Sequence, residues 1–333
     1  MGTKNRGQSA SRSGIKLFII LLPAFVFTLQ EDVMAQCCST GSPVGASVYV
    51  GVLNRNNFRV ITFYRHNYSD TYYSGNTKTT ENTSLNYSKY DFASLAFEYG
   101  ITKRLTVEAD FGYFFDKTQV FKNIDYTEKG YGFSNGGVTV KYATFMKPIQ
   151  QIELTLGAGF RYPFTQQPQE IDGVQLSRDV QPSTNAFAVG GLLFFNKGFP
   201  SITLRLFTLN RYDHNFEDIN HYKYGDILLN SIFVSKKIVA NFFGILQFRS
   251  EYRWPDQDQG ETRINTGNFL LIVSPQLSYS IVGKWNLSVL CDIPIYKDYQ
   301  GKQLTPKYSY AIALSRDFNF SRKPKADVDI RKN

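Results

Sequence analysis

The sequence predicts an all-β fold, a transmembrane antiparallel up-and-down β-barrel of about 12 strands, with short periplasmic turns and long outer loops. Three observations carry that expectation. The chain opens with an export signal, its later segments alternate apolar and polar residues with period two, and the joints between segments alternate in length. An aromatic content of 16% supports it further, because barrels in an outer membrane use amphipathic rings at both headgroup levels.

The first element is the signal, residues 1–35. Lys4, Arg6, Arg12 and Lys16 precede or begin an apolar run over 15–29 that ends near a Val-Met-Ala stretch, 33–35. The run is shorter than the roughly 18 to 20 residues a spanning helix needs, and Glu31 and Asp32 follow it at once. Cleavage is expected after Ala35, leaving about 298 residues from Gln36 to Asn333. A lipid anchor at Cys37 or Cys38 is the rival, but these cysteines follow Gln36 and Cys37 instead of a small residue. No later run is long enough to cross a membrane as a helix.

Residues 36–56 form a periplasmic lead that carries the cysteine pair, 57–320 the barrel, and 321–333 a basic tail. Net charge is +9, and removal of four basic and two acidic residues with the signal leaves +7. The positive charges are spread along the chain and gather on no helix or stripe, so a nucleic-acid partner is not expected. The expected surroundings are outer-membrane lipid and a small-molecule solute, in the outer membrane of a Gram-negative cell. The sequence does not set the oligomeric state.

Strand-like segments fall near 57–74, 84–99, 104–121, 134–146, 152–165, 184–196, 201–214, 224–236, 241–254, 266–281, 285–298 and 306–320. The even-numbered joints are short: GITK, KPIQQ, KGFP, KKIVA and VGK. The odd-numbered joints are mostly long and polar, notably 165–183 and 255–265. Most segments exceed the 9 to 11 residues that a tilted strand needs to cross the apolar band, roughly twice a soluble strand.

The stretch RLTVEADFGYFF, residues 104–115, fixes the sidedness. Leu105, Val107, Ala109, Phe111, Tyr113 and Phe115 share one face, and Glu108 and Asp110 the other. Lipid takes the first face and a wet lumen the second. The same parity turns Lys141, Glu153, Arg161, Arg205, Gln247, Arg249, Glu251 and Arg253 inward, giving with Glu108 and Asp110 ten candidate pore-lining residues. A basic side chain facing lipid near the midplane would cost about 2–4 kcal/mol. Inward charges of both signs either pair and fill the lumen or set its selectivity.

Near the end, Pro294, Tyr296 and Asp298 lead through Gly301, Gln303, Leu304, Thr305 and Pro306 into a last strand closed by Phe318 and Phe320. This resembles the closing hairpin of the meta-pathway phenol-degradation outer-membrane protein family, and residues 97–113 resemble that family's recurrent periplasmic turn. The resemblance implies an outer-membrane barrel that moves small hydrophobic or aromatic compounds. It supplies no binding motif, and the 13-residue tail after Phe320 departs from the pattern.

Little else suggests chemistry. His66, His214 and His221 are the only histidines, the latter two beside Asp213, Glu217 and Asp218 in or next to one outer loop. Such a cluster serves a solvated loop, a weak metal site or a hydrolase in the barrel wall. Cys37 and Cys38 form a candidate thiol site with too few ligands to close around a metal. Cys291 shares the lipid-facing parity of Trp285, Leu287, Val289 and Ile293. No phosphate loop, zinc spacing, dinucleotide fingerprint or calcium loop is present, and no cofactor, resident metal or catalytic residue is expected. The expected role is passive movement or binding of a small solute. The alternatives are a barrel whose outer loops bind a partner and, third, a barrel-wall hydrolase.

Overall fold

The computed structural model describes residues 51–81, 83–281 and 285–320. The signal, the lead up to residue 50 with Cys37 and Cys38, the tail from 321 and the turn expected at 282–284 lie outside the described residues.

The long strands are β1 (Asn57–Gly75), β2 (Leu85–Gly100), β3 (Leu105–Phe121), β4 (Gly136–Lys147), β5 (Ile152–Tyr162), β6 (Ala188–Phe199), β7 (Leu204–Asn215), β8 (Ile227–Val239), β9 (Phe242–Arg253), β10 (Asn268–Ile281) and β11 (Trp285–Asn319). Each pairs antiparallel with its neighbour in sequence. β11 also pairs with β1, from Asn319 opposite Asn57 to Lys302 opposite Ser74, and this ladder closes the ring. Closure removes both sheet edges, so the lipid-facing backbone is paired across ladders around the ring apart from local bulges such as that at Phe115.

β11 is folded on itself. Its 35 residues would reach about 115 Å if straight. Residues 285–299 instead run against β10 and 302–319 against β1. Gly301, with φ of 75°, turns the corner, and the Arg316 guanidinium returns to 4.9 Å from the Trp285 ring. The wall therefore has twelve staves, the expected even number. The difference from the sequence reading is that 299–305, expected as an outer loop, continues the ladder.

One end of the barrel carries short connections, such as 101–104, 148–151 and the 3₁₀ turn Pro200–Ile202. The other end carries long ones, and these hold short strands of their own, including Thr127–Phe133 against the upper part of β3. Outer-membrane barrels put the short turns in the periplasm, which orients the molecule.

The outer face presents an apolar band that includes Val138, Val140, Leu156, Phe160, Phe195, Ile232, Leu277 and Val289, each more than a third exposed. Tyr68 stacks on Tyr87 and Tyr308 toward the outer rim, and Phe58 on Phe97 toward the periplasmic rim. The inner face is not uniformly polar. Phe63, Phe92, Phe114 and Leu290 form one packed group inside the ring, and Phe194, Phe207, Phe233 and Ile245 form another. These rings take inward positions beside polar neighbours, as Phe207 does after Arg205. A solid interior excludes water from that part of the lumen and leaves buried polar groups to find protein partners.

Candidate functional site

The inward charges stand in layers. Nearest the periplasm, the Arg59 guanidinium meets Glu98 at 3.2 Å and Asp317 at 2.6 Å. Lys141 meets Glu98 at 2.7 Å and also pairs with Glu108. β1, β2, β3, β4 and the end of β11 each supply one member, so the cluster ties five staves together across the interior. The chain ahead of β1 enters the same mouth: the Val52 N–H donates to Glu153 Oε1 at 2.8 Å, and the Leu53 N–H to the buried Thr106 hydroxyl at 2.8 Å. Glycine is required at position 100, where a Cβ would stand 2.1 Å from the Asn54 carbonyl oxygen. The periplasmic mouth is thus occupied by paired charge and by residues 51–54.

At mid-height Asp292 accepts from Arg65 at 3.3 Å, from Arg249 at 3.1 Å and from the Ser274 hydroxyl. The Gln247 amide donates to Ser231 Oγ at 3.1 Å, and Arg205 reaches Asn196 and lies over the Phe207 ring. On the β3–β7 wall, Arg161 lies 3.6 Å from Asp110 and Arg211 lies 2.8 Å from Asp213.

Above these layers is an open chamber of about 150 Å³ lined by Arg65, Arg161, Arg211, Arg249 and Arg253 together with Tyr90, Phe114, Leu229, Leu270 and Ile272. A narrower space of about 40 Å³ continues below it along Gly137, Thr139, Gly159 and Gly190 to Glu108 and Lys141. Arg161, Arg211 and Asp213 line both, so these three side chains stand between the two spaces. Small residues create this neck: a Cβ at Gly190 would come within 2.4 Å of Asp213 Oδ1, and one at Gly137 within 2.5 Å of Asp110 Oδ1.

Outer loops fold over the chamber. Lys117, on the inner face of β3, donates to the Gln181 carbonyl at 2.7 Å, and Gln181 in turn donates to the Leu176 and Gln169 carbonyls. Asn135 holds the same loop through Ser183 at 2.6 Å and the Ala186 carbonyl at 2.8 Å. Gly130 allows that loop its close approach, since a Cβ there would stand 1.9 Å from the Val180 oxygen. A second loop docks through Asp256, which accepts from the Tyr222 hydroxyl at 2.6 Å, from the Gly225 N–H at 2.7 Å and from Arg253 at 2.9 Å. Arg178 joins the two loops, pairing with Asp218 and lying 4.2 Å from the centre of the Tyr222 ring.

Burial, and then the Asp256 carboxylate, push the Tyr222 hydroxyl well above the ordinary tyrosine range, and burial raises Tyr224 likewise. At Asp226 burial works upward, but hydrogen bonds from Tyr212 and His214 outweigh it and hold the carboxyl below its usual range.

All ten residues singled out from sequence project from the inner face, in four separate places. Lys141, Glu108 and Glu153 lie at the periplasmic mouth, Asp110 and Arg161 on the glycine-lined wall, and Arg249, Glu251 and Arg253 around the chamber. Gln247 and Arg205 bond within the filled part. Arg59, Arg65, Glu98, Arg211 and Asp292 were missed, although Arg59 and Arg65 obey the same period-two rule within β1. Asp292 had a further signal, its alternation with Cys291 and Ile293.

The histidines stand apart. His66 is on the lipid-facing side of β1, 2.8 Å from Asp91, while His214 meets Asp226 at 2.8 Å and the exposed His221 meets Glu217 at 3.4 Å. Among the described residues no group of three His, Cys, Asp or Glu side chains is placed to hold a metal.

A closed antiparallel wall of twelve staves with an apolar exterior band and a charged interior defines a barrel of the outer-membrane kind. No family model matches the chain, and no curated protein matches it. Among solved structures, it resembles the COG4313 outer membrane channel from Pseudomonas putida F1, with a TM-score of 0.65, 10% identity, and coverage of 82% of this chain and 99% of that one. The beta domain of the Bordetella autotransporter BrkA gives 0.45 at 8% identity over 79% and 100% of the two chains. The P. putida toluene transporter TodX gives 0.40 at 8% over 84% and 92%. At these identities the likeness to the COG4313 channel is one of fold.

Proposed function

We propose that this protein passes small solutes across the outer membrane of a Gram-negative bacterium, after export under a cleaved signal. The resemblance in its closing hairpin favours solutes with hydrophobic or aromatic parts. The observation that carries the reading is that Arg161, Arg211 and Asp213 line both chamber and neck, so that movement of these side chains joins the two. The two packed phenylalanine groups fill other parts of the interior, so a solute follows the glycine-lined wall of β4, β5 and β6.

The dimensions set the behaviour. At about 10–15 Å³ for each water, the neck holds about three waters and the chamber about ten. Passage needs Arg161 and Arg211 to swing aside and, below the neck, the paired charges and residues 51–54 at the periplasmic mouth to yield, which small ions require least. A low, ion-sized conductance is therefore expected in planar bilayers. Replacing Gly159 with Leu puts a branched side chain into the neck, where a Cβ already meets Thr139 Oγ1 at 3.0 Å. Conductance should fall at least about tenfold, since little of the roughly three-water space would remain. Equal current through wild type and Gly159→Leu would refute this route, and no current through either would refute passage altogether.

A further inference from the structure

We propose that the chamber binds a small organic acid, a carboxylate on an apolar body, with Arg65 and Arg249 holding the acid group. The inference names the solute class for the passage described above and rests on that reading for its purpose, though not for its geometry.

Two guanidinium groups share one carboxylate here, since Arg65 and Arg249 both bond Asp292. Both side chains are more than nine-tenths buried, and the Nε of each has no hydrogen-bond partner and is closed off from the chamber, so a ligand acid takes it by turning the guanidinium toward the chamber. An unmade hydrogen bond on a buried charged group is costly, and a planar guanidinium fits a carboxylate with two parallel N–H bonds.

The rest of the ligand follows from the neighbouring walls. Leu270 and Ile272 occupy the inward positions of β10 outward of Ser274, and Leu229, Tyr90 and Phe114 face the same space. A head at Asp292 therefore has an apolar wall above it. Room for about ten waters corresponds to a solute of about ten non-hydrogen atoms, the size of benzoate.

The test uses the full mature protein in detergent, titrated calorimetrically with benzoate and with benzyl alcohol, its neutral counterpart. Benzoate should bind saturably and benzyl alcohol should not. Arg65→Gln, which leaves Asp292 paired with Arg249, should weaken benzoate by about tenfold to a hundredfold. Glu251→Gln removes an opposing charge from the same chamber and should strengthen it, which keeps the test decisive if Arg65→Gln folds poorly on a heat-modifiable gel. Benzoate binding no tighter than benzyl alcohol, or Glu251→Gln weakening it, would overturn the assignment. Conductance without benzoate binding would sink this inference and leave passage standing, whereas binding without conductance would do the reverse.

Discussion

Replacing Lys141 with Met tests whether the periplasmic ion cluster holds the barrel together. The ammonium is buried between Glu98 and Glu108, while Arg59 pairs with Glu98 and Asp317. Its loss leaves Glu108 without its ion-pair partner and Glu98 sharing Arg59 with Asp317. Breaking a buried pair from one side typically costs 3–5 kcal/mol, so Lys141→Met should destabilise the folded barrel by about that much. Adding Glu108→Leu restores much of the balance, and the double variant should return to within about 1–2 kcal/mol of wild type, because an apolar replacement for a buried pair is often nearly neutral. The assay is urea unfolding from phospholipid bilayers, followed by the fluorescence of Trp254 and Trp285. A loss under about 1 kcal/mol for the single variant, or no recovery in the double, would refute the argument.

Other outcomes follow from the wall and the lid. Ile293 faces lipid beside the mid-height Asp292, so Ile293→Arg should cost about 2–4 kcal/mol in the same unfolding assay, and an unaffected variant would contradict the lipid-facing assignment. Gly225 lies where a Cβ would stand 1.8 Å from the Trp254 oxygen, so Gly225→Val should undock the second loop and expose it to protease while the barrel still migrates as folded. Tyr222 keeps its proton in the folded lid beyond the ordinary tyrosine range, whereas an undocked loop loses it near about pH 10. The raised value means that its contribution is complete below about pH 10 and falls, by up to about 1.4 kcal/mol per pH unit, as pH rises above it. Tyr222→Phe should therefore leave the tyrosinate absorbance developed by about pH 11 unchanged, and a missing step near pH 10 would refute the burial argument.

Sequence alone determined the wall. Period-two alternation in strands too long for a soluble sheet, set between joints of alternating length, dictates antiparallel staves with one greasy and one polar face. That is local information, carried by residues a few positions apart, and it placed Glu108, Lys141 and Arg249 on the inner face before any contact was known. It could not say that Lys141 meets Glu98, that Asp292 bridges Arg65 and Arg249, or that Lys117 grips the loop at Gln181, since these partners lie 43 to 227 positions apart. Nor did parity distinguish an inward Phe207 that fills the interior from an inward Gly190 that leaves it open. Only closure of the ring decided those matters, because it fixes which inner faces oppose one another and how much space lies between them.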